Sequence, residues 1–404
     1  MMKKRTFWSG VMALTFCTAL TVSATTTYTV TTFAGTANVA GFADGTGQSA
    51  TFKYPNSLSR KSDGSIWIAD RGNNAIRSMT EEGVVITIST PNGSFNAPWQ
   101  GNFDSKGDYF VADKANNRIQ KVTPDGTVTT FATGFKSPMS LIFDKDDNMY
   151  VSDRDNKAIK KITPTGEIST YASFSSFLPN CAVFDKNGNL LVGSGNTYTI
   201  VSVAPDGTVT TVAGDGTKGT ASLDGTPGQP LTAEIGQYFG FDIDSNGVLY
   251  MADYLFHTIR TLTPDENGDY SKGTVKTIAG TGQKGFADGN GSTATFTNPL
   301  AILVNPENKS LFVAESSNII RKITIDTGTG IDEINNQAIS IYPNPASKYI
   351  TVNHEGISQI EIFSITGASV LRSTTNRISL ENIPAGIYVV KVNNHATERL
   401  IVRK

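Results

Sequence analysis

The chain repeats one sequence pattern six times, and this repetition restricts the possible folds more than any other feature. In each copy a short apolar strand ends at a polar turn, and a second strand then leads to another turn. The copies read GSIWIADRGNNAIRSMTEEG (64–83), GDYFVADKANNRIQKVTPDG (107–126), NMYVSDRDNKAIKKITPTG (148–166), NLLVGSGNTYTIVSVAPDG (189–207), GVLYMADYLFHTIRTLTPDE (247–266) and KSLFVAESSNIIRKITIDTG (309–328). Repetition at such a period is typical of solenoids and propellers.

Each copy is flanked by two further apolar runs, so that one repeat unit contains four short strands. The run before a copy resembles MSLIFD (139–144), and the run after it resembles TVTTVAG (208–214). Val, Ile, Thr and aromatic residues favour strands, and the Asp-Gly and Asn-Gly pairs between them favour tight hairpin turns. Four-stranded antiparallel sheets repeated around an axis form a β-propeller. The sequence therefore predicts an all-β fold with six blades.

The first strand of the domain is displaced from its unit. Residues 29–35, TVTTFAG, match TVTTVAG and TVKTIAG (274–280), whereas the sixth copy has no such strand after it. We expect residues 29–35 to pair with the last strand of the sixth copy, around residues 319–325, and to close the ring without a free edge.

At this point the repeat resembles the NHL family of six-bladed propellers. The resemblance rests on the pattern V-A-D-x-x-N-x-x-I-R, with A-G-x-G-x-x-G-F-A-D-G between units, and covers about residues 28–328. The fourth copy departs from the pattern, with Gly193 at the expected position of the acid. The family's functions are too varied for the resemblance to imply one of them.

The amino terminus has the pattern of a secretory signal peptide. Lys3, Lys4 and Arg5 precede an apolar run, and the small-residue pattern favours cleavage after Ala24. We therefore expect residues 1–24 to be removed. A lipoprotein signal at Cys17 is disfavoured by the bulky Phe16 that precedes it. We expect no membrane span elsewhere. Cleavage would leave Cys181, in an apolar strand pattern, as a buried core residue. Charged residues are 17% of the chain and the formal charge is −2, so we expect no nucleic-acid partner.

After residue 330 the repeat ends. We interpret residues 25–330 as the propeller, 331–338 as a linker and 339–404 as a second, small β domain. It resembles the sorting domains of cargo for the bacterial type IX secretion system through Tyr342-Pro343-Asn344-Pro345, through Gly386 with Tyr388, and through the basic end 399–404. The alternative is an immunoglobulin-like adhesion module. The resemblance implies a small β-sandwich, export by the type IX machinery, and a secreted or outer-surface protein of a Gram-negative bacterium.

The sequence contains no nucleophile triad, phosphate loop or metal-ligand cluster, so we expect no catalytic residues, metal or cofactor. The acids at the ends of the second strands form a series that could suggest a metal site. We expect them to be too far apart for that and to act as structural caps of their own turns, with Arg77, Lys160 or Arg260 as partners; these caps are Asp70, Asp113, Asp153 and Asp253.

Three long loops, 35–52, 215–235 and 281–296, should lie side by side on the face that carries those turns. GFADG occurs in two of them, and an aromatic-rich turn lies in the fifth unit. Aromatic rings beside carboxylates suit a ligand-binding surface. The predicted contacts are Phe42, Asp44, Tyr254, Phe256, His257, Phe286 and Asp288.

Two alternatives stay open. Phe42 and Phe286 could simply fix their own loops to the propeller. The sequence favours a secreted or cell-surface module that binds an extracellular glycan, protein or peptide, and leaves open a hydrolase or lyase with a site in the central channel, similar to propeller lactonases.

Overall fold

A computed structural model of the protein describes residues 26–89, 94–307, 309–327, 340–353, 359–392 and 396–404. The predicted signal peptide 1–24 and the predicted linker 331–338 lie outside these residues. Within them the chain forms two compact units, one over Thr26–Asp326 and one within Thr327–Lys404. Both units are built from β-strands, with six short 3₁₀ turns in the first.

The first unit contains six antiparallel sheets, and each corresponds to one sequence copy. We number them in chain order. Sheet 1 contains Gly45–Thr46, Ser59–Arg60, Ile66–Asp70, Ala75–Met79 and Val84–Ser89; sheet 2 contains Pro98–Phe103, Tyr109–Asp113, Arg118–Val122 and Val128–Thr133; sheet 3 contains Pro138–Phe143, Met149–Asp153, Ala158–Ile162 and Ile168–Ser173; sheet 4 contains Pro179–Phe184, Leu190–Ser194, Ile200–Val203 and Val209–Ala213; sheet 5 contains Tyr238–Ile243, Leu249–Asp253, Thr258–Thr263 and Thr274–Ala279; sheet 6 contains Thr27–Ala34, Gly289–Asn290, Pro299–Val304, Ser310–Glu315 and Ile319–Asp326.

Glycine sets the hairpins that connect these strands. Gly126 has a φ of +84°, in the left-handed region that an L side chain rarely adopts. A Cβ atom added to Gly126 would lie 2.4 Å from the carbonyl oxygen of Ile88, on the outer strand of sheet 1. The Asp-Gly turn predicted at 125–126 therefore requires glycine both for its backbone angle and for its contact with the neighbouring sheet.

The amino-terminal strand joins the last sheet, as the displaced sequence motif predicts. Thr27–Ala34 pairs antiparallel with Ile319–Asp326, with Val30 opposite Ile323. Its other edge pairs with Gly289–Asn290, from the loop before sheet 6. Val30 and Ala34 are fully buried, so this strand contributes to the core as well as to the hydrogen bonding.

Neighbouring sheets share apolar cores, and six such cores link the six sheets in sequence. Separate clusters join sheets 1 and 2, 2 and 3, 3 and 4, 4 and 5, and 5 and 6. A sixth cluster joins sheet 6 back to sheet 1, through residues such as Phe312 and Ile68. Cys181 is fully buried in the cluster between sheets 4 and 5, where burial raises the pKa of its thiol well above the usual value. Its predicted role in the core is confirmed.

The fourth copy shows one correction to the sequence alignment. The first residue of the first strand pairs with the last residue of the second strand in each four-stranded sheet, as Pro138 does with Asp153. In sheet 4 this partner of Pro179 is Ser194, and Gly193 lies one residue earlier. Ser194, not Gly193, therefore occupies the position of the acid. A glycine at 193 is required by packing, because a Cβ there would lie 2.7 Å from the Cys181 sulfur.

The second unit contains two antiparallel sheets that share one apolar core. Their strands are Ser340–Tyr342, Tyr349–Asn353 and Arg377–Ser379, and then Ile360–Ser364, Ser369–Ser373, Gly386–Val392 and Ala396–Val402. The side chain of Asn344 donates to the carbonyl of Arg399 at 2.6 Å and accepts from the backbone N–H of Ile401 at 2.9 Å. The Tyr-Pro-Asn-Pro motif is thus tied to the carboxy-terminal strand.

Candidate functional site

Strands are counted here within each repeat, so that Pro98–Phe103 is the first strand of sheet 2 and Tyr109–Asp113 is the second. In each sheet the turn after the second strand lies at the same end as the start of the first strand. Register places Pro98 opposite Asp113 and Pro138 opposite Asp153, and each acid is followed by its turn. These ends meet in the first unit, because Trp99 of sheet 2 packs on Phe239 of sheet 5 with ring centroids 5.8 Å apart. We call this end of the unit the turn face.

Three of the four turn acids do not cap their own turns as predicted. Asp70, Asp113 and Asp153 are fully buried, and their carboxylates accept no backbone N–H from the 3₁₀ turn that follows each of them. Each instead accepts the backbone N–H of a residue 17 positions earlier, just before the first strand; the donors are Lys53 (2.8 Å), Asn96 (2.7 Å) and Lys136 (2.7 Å). The acids join the turn to the chain segment that enters the sheet.

The turn of sheet 5 differs from this arrangement, and one predicted partner of the turn acids is not observed. Asp253 accepts both from Gly236, 17 residues earlier, and from Phe256 in its own turn, so the predicted cap is present there. Lys160 does not pair with Asp153, since its ammonium donates to the Thr170 hydroxyl at 2.8 Å. The other oxygen of Asp153 accepts from the Asn156 side chain at 2.8 Å.

Three buried arginines hold the three long loops. The side chains of Arg77, Arg260 and Arg321 are fully buried. They lie on the third strand of their repeats, which is Ala75–Met79 in sheet 1, Thr258–Thr263 in sheet 5 and Ile319–Asp326 in sheet 6. Each guanidinium lies between the acid of its own turn and an acid of the loop before its sheet. The loop-side distances are 2.6 Å from Arg77 to Asp44, 2.9 Å from Arg260 to Asp224, and 2.7 Å from Arg321 to Asp288. We call these residues the clamp arginines.

Loop carbonyls complete each clamp. Arg77 donates to the carbonyls of Thr51 and Ala43, and Arg321 donates to Thr295 and Ala287, which occupy the same positions in their loop. The turn acid of sheet 6, Glu315, lies 2.9 Å from Arg321. Burial raises the pKa of Glu315 to about 7, and the arginine beside it opposes that shift.

The loop acids predicted as ligand contacts therefore serve the loops themselves. Asp44 accepts from the side chain and backbone of Thr87, on the outer strand of sheet 1, in addition to Arg77. Asp288 accepts from Thr32 and Arg321. The Phe42 ring lies 4.9 Å from the Arg77 guanidinium carbon, while Phe286 remains 51% exposed. Phe42 thus fits the alternative that it fixes its own loop.

The aromatic turn of sheet 5 divides its side chains between two environments. Phe256 is buried, and its role as a ligand contact stays a prediction. His257 is half-buried, accepts the Asn298 backbone N–H through Nδ1 at 3.1 Å, and has a pKa lowered by burial and by Lys284. Both residues line a cavity of about 570 Å³ between loops 215–235 and 281–296. Tyr254 faces the other way and packs on Phe239, with centroids 5.0 Å apart.

A cluster of cations lies where the first strands begin. Arg71, Lys114 and Arg154 each follow the turn acid of sheets 1, 2 and 3. The Arg71 guanidinium and the Lys114 ammonium lie 4.5 and 4.2 Å from the centroid of the Trp99 ring. Arg154 donates to the Asn180 side chain at 3.1 Å. We call these three cations, with Trp99, Phe239 and Tyr254, the basin.

Burial and the neighbouring cations both act on the pKa of Lys114. Burial, followed by the positive charges of Arg71 and Arg154, lowers its pKa to about 8, and Asp155 partly opposes this shift. Burial also lowers the pKa of Arg71. Sequence reasoning missed the basin, although a signal exists: the residue after the turn acid is basic in three successive copies.

A second cavity lies at the opposite ends of the first strands. It has a volume of about 450 Å³, and its lining includes Arg60, Asn102 and Asp242. Asp242 accepts the Val304 backbone N–H at 2.6 Å, and burial raises its pKa to about 6. Asp242 is the next-to-last residue of its strand, Tyr238–Ile243.

Within the described part of the chain, no group of three or more His, Cys, Asp or Glu residues is placed to hold a metal ion. No helix in that part has the length and apolar character of a membrane span.

The second unit matches a known family. Residues 340–403 match the family described as "Secretion system C-terminal sorting domain". This domain type directs type IX cargo, so the protein is secreted or held at the outer cell surface of a Gram-negative bacterium. The family covers the second unit alone, and no curated protein matches the sequence of the chain.

Solved structures resemble the first unit. Two are described as auxiliary nutrient binding proteins, from Bacteroides thetaiotaomicron VPI-5482 (TM-score 0.63, 19% identity) and Bacteroides ovatus ATCC 8483 (TM-score 0.62, 20% identity). Each alignment covers 74% of this chain and 77% of the other. A streptogramin B lyase is similar at a TM-score of 0.51 and 14% identity, over 74% of this chain and 98% of the lyase. At these identities the likeness establishes a propeller-like all-β fold.

Proposed function

We propose that the first unit is a closed six-bladed propeller of the NHL type, over residues 25–330, joined by a linker at 331–338 to a sorting domain at 339–404. Two observations support closure. The strand Thr27–Ala34 completes sheet 6, and the sixth apolar core joins that sheet to sheet 1. The sorting domain is the part that would engage the type IX secretion machinery.

The function that this arrangement supports best is binding, outside the cell, of a glycan, a protein or a peptide on the turn face. The observation that carries the proposal is the 570 Å³ cavity between two loops that are fixed by clamp arginines. Concave sites on loops held by a rigid scaffold are typical ligand sites, because little ordering is required when the ligand binds. The likeness to auxiliary nutrient binding proteins is consistent with this role.

Four of the predicted contacts support this proposal: His257 and Phe256 line the cavity, Tyr254 belongs to the basin, and Phe286 is half exposed on loop 281–296. The remaining three, Phe42, Asp44 and Asp288, hold the loops, as described above. An exposed phenylalanine on a fixed loop can bury its ring against a ligand at low entropic cost.

One experiment tests the binding function. The exported chain, from residue 25 onward, is applied to glycan and peptide arrays, and each ligand found is then titrated against the wild type and against Phe286→Ala. We expect a defined set of ligands, and affinity that falls by about tenfold in the variant, which corresponds to about 1.4 kcal/mol.

The matched control for this titration is Ile168→Ala, which removes an exposed apolar side chain from the outer strand of sheet 3. Its affinity should equal that of the wild type. Arrays without a reproducible ligand, or equal losses in the two variants, would contradict a ligand site on the turn face.

A hydrolase or lyase with a channel site is the second candidate. It is favoured by Asp242, a half-buried residue that lines the 450 Å³ cavity and whose carboxyl pKa is raised to about 6, within the range of a general acid or base. If the wild type converts an array ligand to product and Asp242→Asn abolishes that conversion, the function is catalysis in the 450 Å³ cavity.

A further inference from the structure

The basin contains positive charges that the protein does not neutralise. Within the described part of the chain, neither the guanidinium of Arg71 nor the ammonium of Lys114 has a hydrogen-bond or ion-pair partner, and both pack on Trp99. Arg154 pairs with Asp155 at 2.9 Å. Half-buried like charges raise the free energy of the site unless an anion compensates them. The arrangement is more favourable with a bound negative group.

Buried polar atoms at the same end of the first strands also lack partners. Asn56 is fully buried, and neither atom of its side-chain amide has a hydrogen bond within the described residues. The Trp99 indole N–H is in the same condition. Asn56, Trp99 and Asn180 occupy equivalent positions in sheets 1, 2 and 4. Each directly follows a proline that is paired with the last residue of the second strand in its sheet. Such orphan groups are uncommon in native proteins and point to a missing partner.

The surroundings of Arg71 indicate the shape of that partner. The hydroxyls of Tyr54 and Tyr254 are close enough to Arg71 to influence its pKa. Tyr54 is 47% exposed, and Tyr254 is half-buried. An arginine fork matches the two oxygens of a carboxylate, and tyrosine rings pack against the faces of sugar rings while their hydroxyls bind sugar hydroxyls.

We propose that the basin binds the carboxylate of a uronic-acid residue in an acidic saccharide. The inference rests on the proposed binding function and names the ligand class for its turn face. Arg71 and Lys114 would contact the carboxylate, Arg154 would add to the positive potential, and Tyr54 with Tyr254 would contact the sugar ring. The 570 Å³ cavity would hold other parts of a longer ligand.

The test measures binding of uronic-acid trimers (galacturonate, glucuronate and mannuronate) to the exported chain by calorimetry. Neutral trimers of the corresponding hexoses are the ligand control. We expect at least one acidic trimer to bind about tenfold or more tightly than its neutral counterpart, and the difference to shrink as salt is raised. Lys114→Gln and Arg71→Gln should each weaken binding of the acidic trimer about tenfold and leave neutral ligands unchanged.

The control variant is Lys161→Gln, which removes another lysine that lies over an aromatic ring, 5.3 Å from the centroid of Tyr150 in sheet 3. Its affinity should remain within about twofold of the wild type. Should Lys114→Gln fail to fold, Arg71→Gln alone tests the carboxylate contact, and Arg154→Gln, which removes a cation that pairs with Asp155, should give a smaller loss of affinity for the acidic trimer.

The outcomes separate this inference from the binding function. Tighter binding of a tri-glutamate peptide than of any acidic trimer would overturn the saccharide assignment. Binding of neutral ligands on the turn face, with no acidic trimer bound more tightly than its neutral counterpart, would overturn the basin and leave the binding function intact. No binding by any array ligand or trimer would overturn both.

Discussion

Sheets 1, 5 and 6 and sheets 2, 3 and 4 are built from the same repeat but use its variable positions differently. In the first group the third strand has a buried arginine, and a long loop before the sheet supplies a second acid to it. In the second group the same strand position is occupied by Gln120, Lys160 and Val201. The added loop and the buried arginine therefore occur together.

This difference separates charges that are paired within the protein from charges that remain to bind a ligand. The sequence predicted aspartates on the long loops as ligand contacts, whereas in the structure these carboxylates neutralise the clamp arginines. Lys114 and Arg154 follow the turns of sheets 2 and 3, where the loops are short, and lie with Arg71 in the basin. The clamped half thus provides a rigid wall, and the other half provides most of the basin's positive charge.

The largest expected effect comes from breaking a clamp. Arg260→Met should lower the free energy of unfolding by about 3–5 kcal/mol, because it leaves the fully buried Asp253 without its cation. Arg77→Met should behave similarly through Asp70. Trp67 and Trp99 are the tryptophans beyond the predicted signal peptide, and both lie in the first unit. Tryptophan fluorescence during urea unfolding therefore reports on that unit.

Lys160→Met is the matched control, since it changes a cation at the same strand position of sheet 3 without a long loop. Its unfolding curve should coincide with that of the wild type. A loss comparable to that of Arg260→Met would show that the strand position matters in every sheet and would remove the distinction between the two halves.

Much of the fold could be predicted because the same pattern of strands and turns recurs in all six copies. The six sheets follow from the copies, and the pairing of Thr27–Ala34 follows from its likeness to the outer strands. The clamps were missed for a physical reason: Asp44 and Arg77 are 33 residues apart, and the sequence does not show which of several acids a guanidinium will reach. The signal was present, since A-D-G-x-G-x-x-A-T-F occurs at both 43–52 and 287–296.

The basin was missed for a different reason. Its members come from single positions in several repeats, and they meet only through contacts between sheets that are distant in the sequence. Trp99 and Phe239 are 140 residues apart and contact each other directly. The basic residue after the acid in three copies could have been noted, but the sequence does not state which way those side chains point.

A smaller effect is expected when the loop side of a clamp is weakened. Asp44→Asn keeps an oxygen for Thr87 and removes the charge opposite Arg77, so stability should fall by about 1 kcal/mol, since the carboxylate is half exposed and partly screened. Limited proteolysis should cut loop 35–52 several times faster. Asp104→Asn, in a turn of sheet 2, should leave the rate of that cleavage unchanged. Equal cleavage in the two variants would mean that the ion pair does not fix the loop.

The last expected effect, on affinity rather than on stability, is a pH dependence confined to the basin. Lys114 has a pKa of about 8 in the free protein, because burial and the charges of Arg71 and Arg154 favour its neutral form, with Asp155 opposing them. Below pH 8 the ammonium is present and attracts a carboxylate ligand, and above pH 8 the free protein must first take up a proton. A bound anion raises this pKa, so affinity for the acidic trimer should fall about fivefold to tenfold between pH 7 and pH 9.5. Lys114→Arg keeps its charge over this range and should show a change of less than about twofold. An equally steep profile in Lys114→Arg would assign the titration to another group and remove Lys114 from the basin's contacts with the ligand.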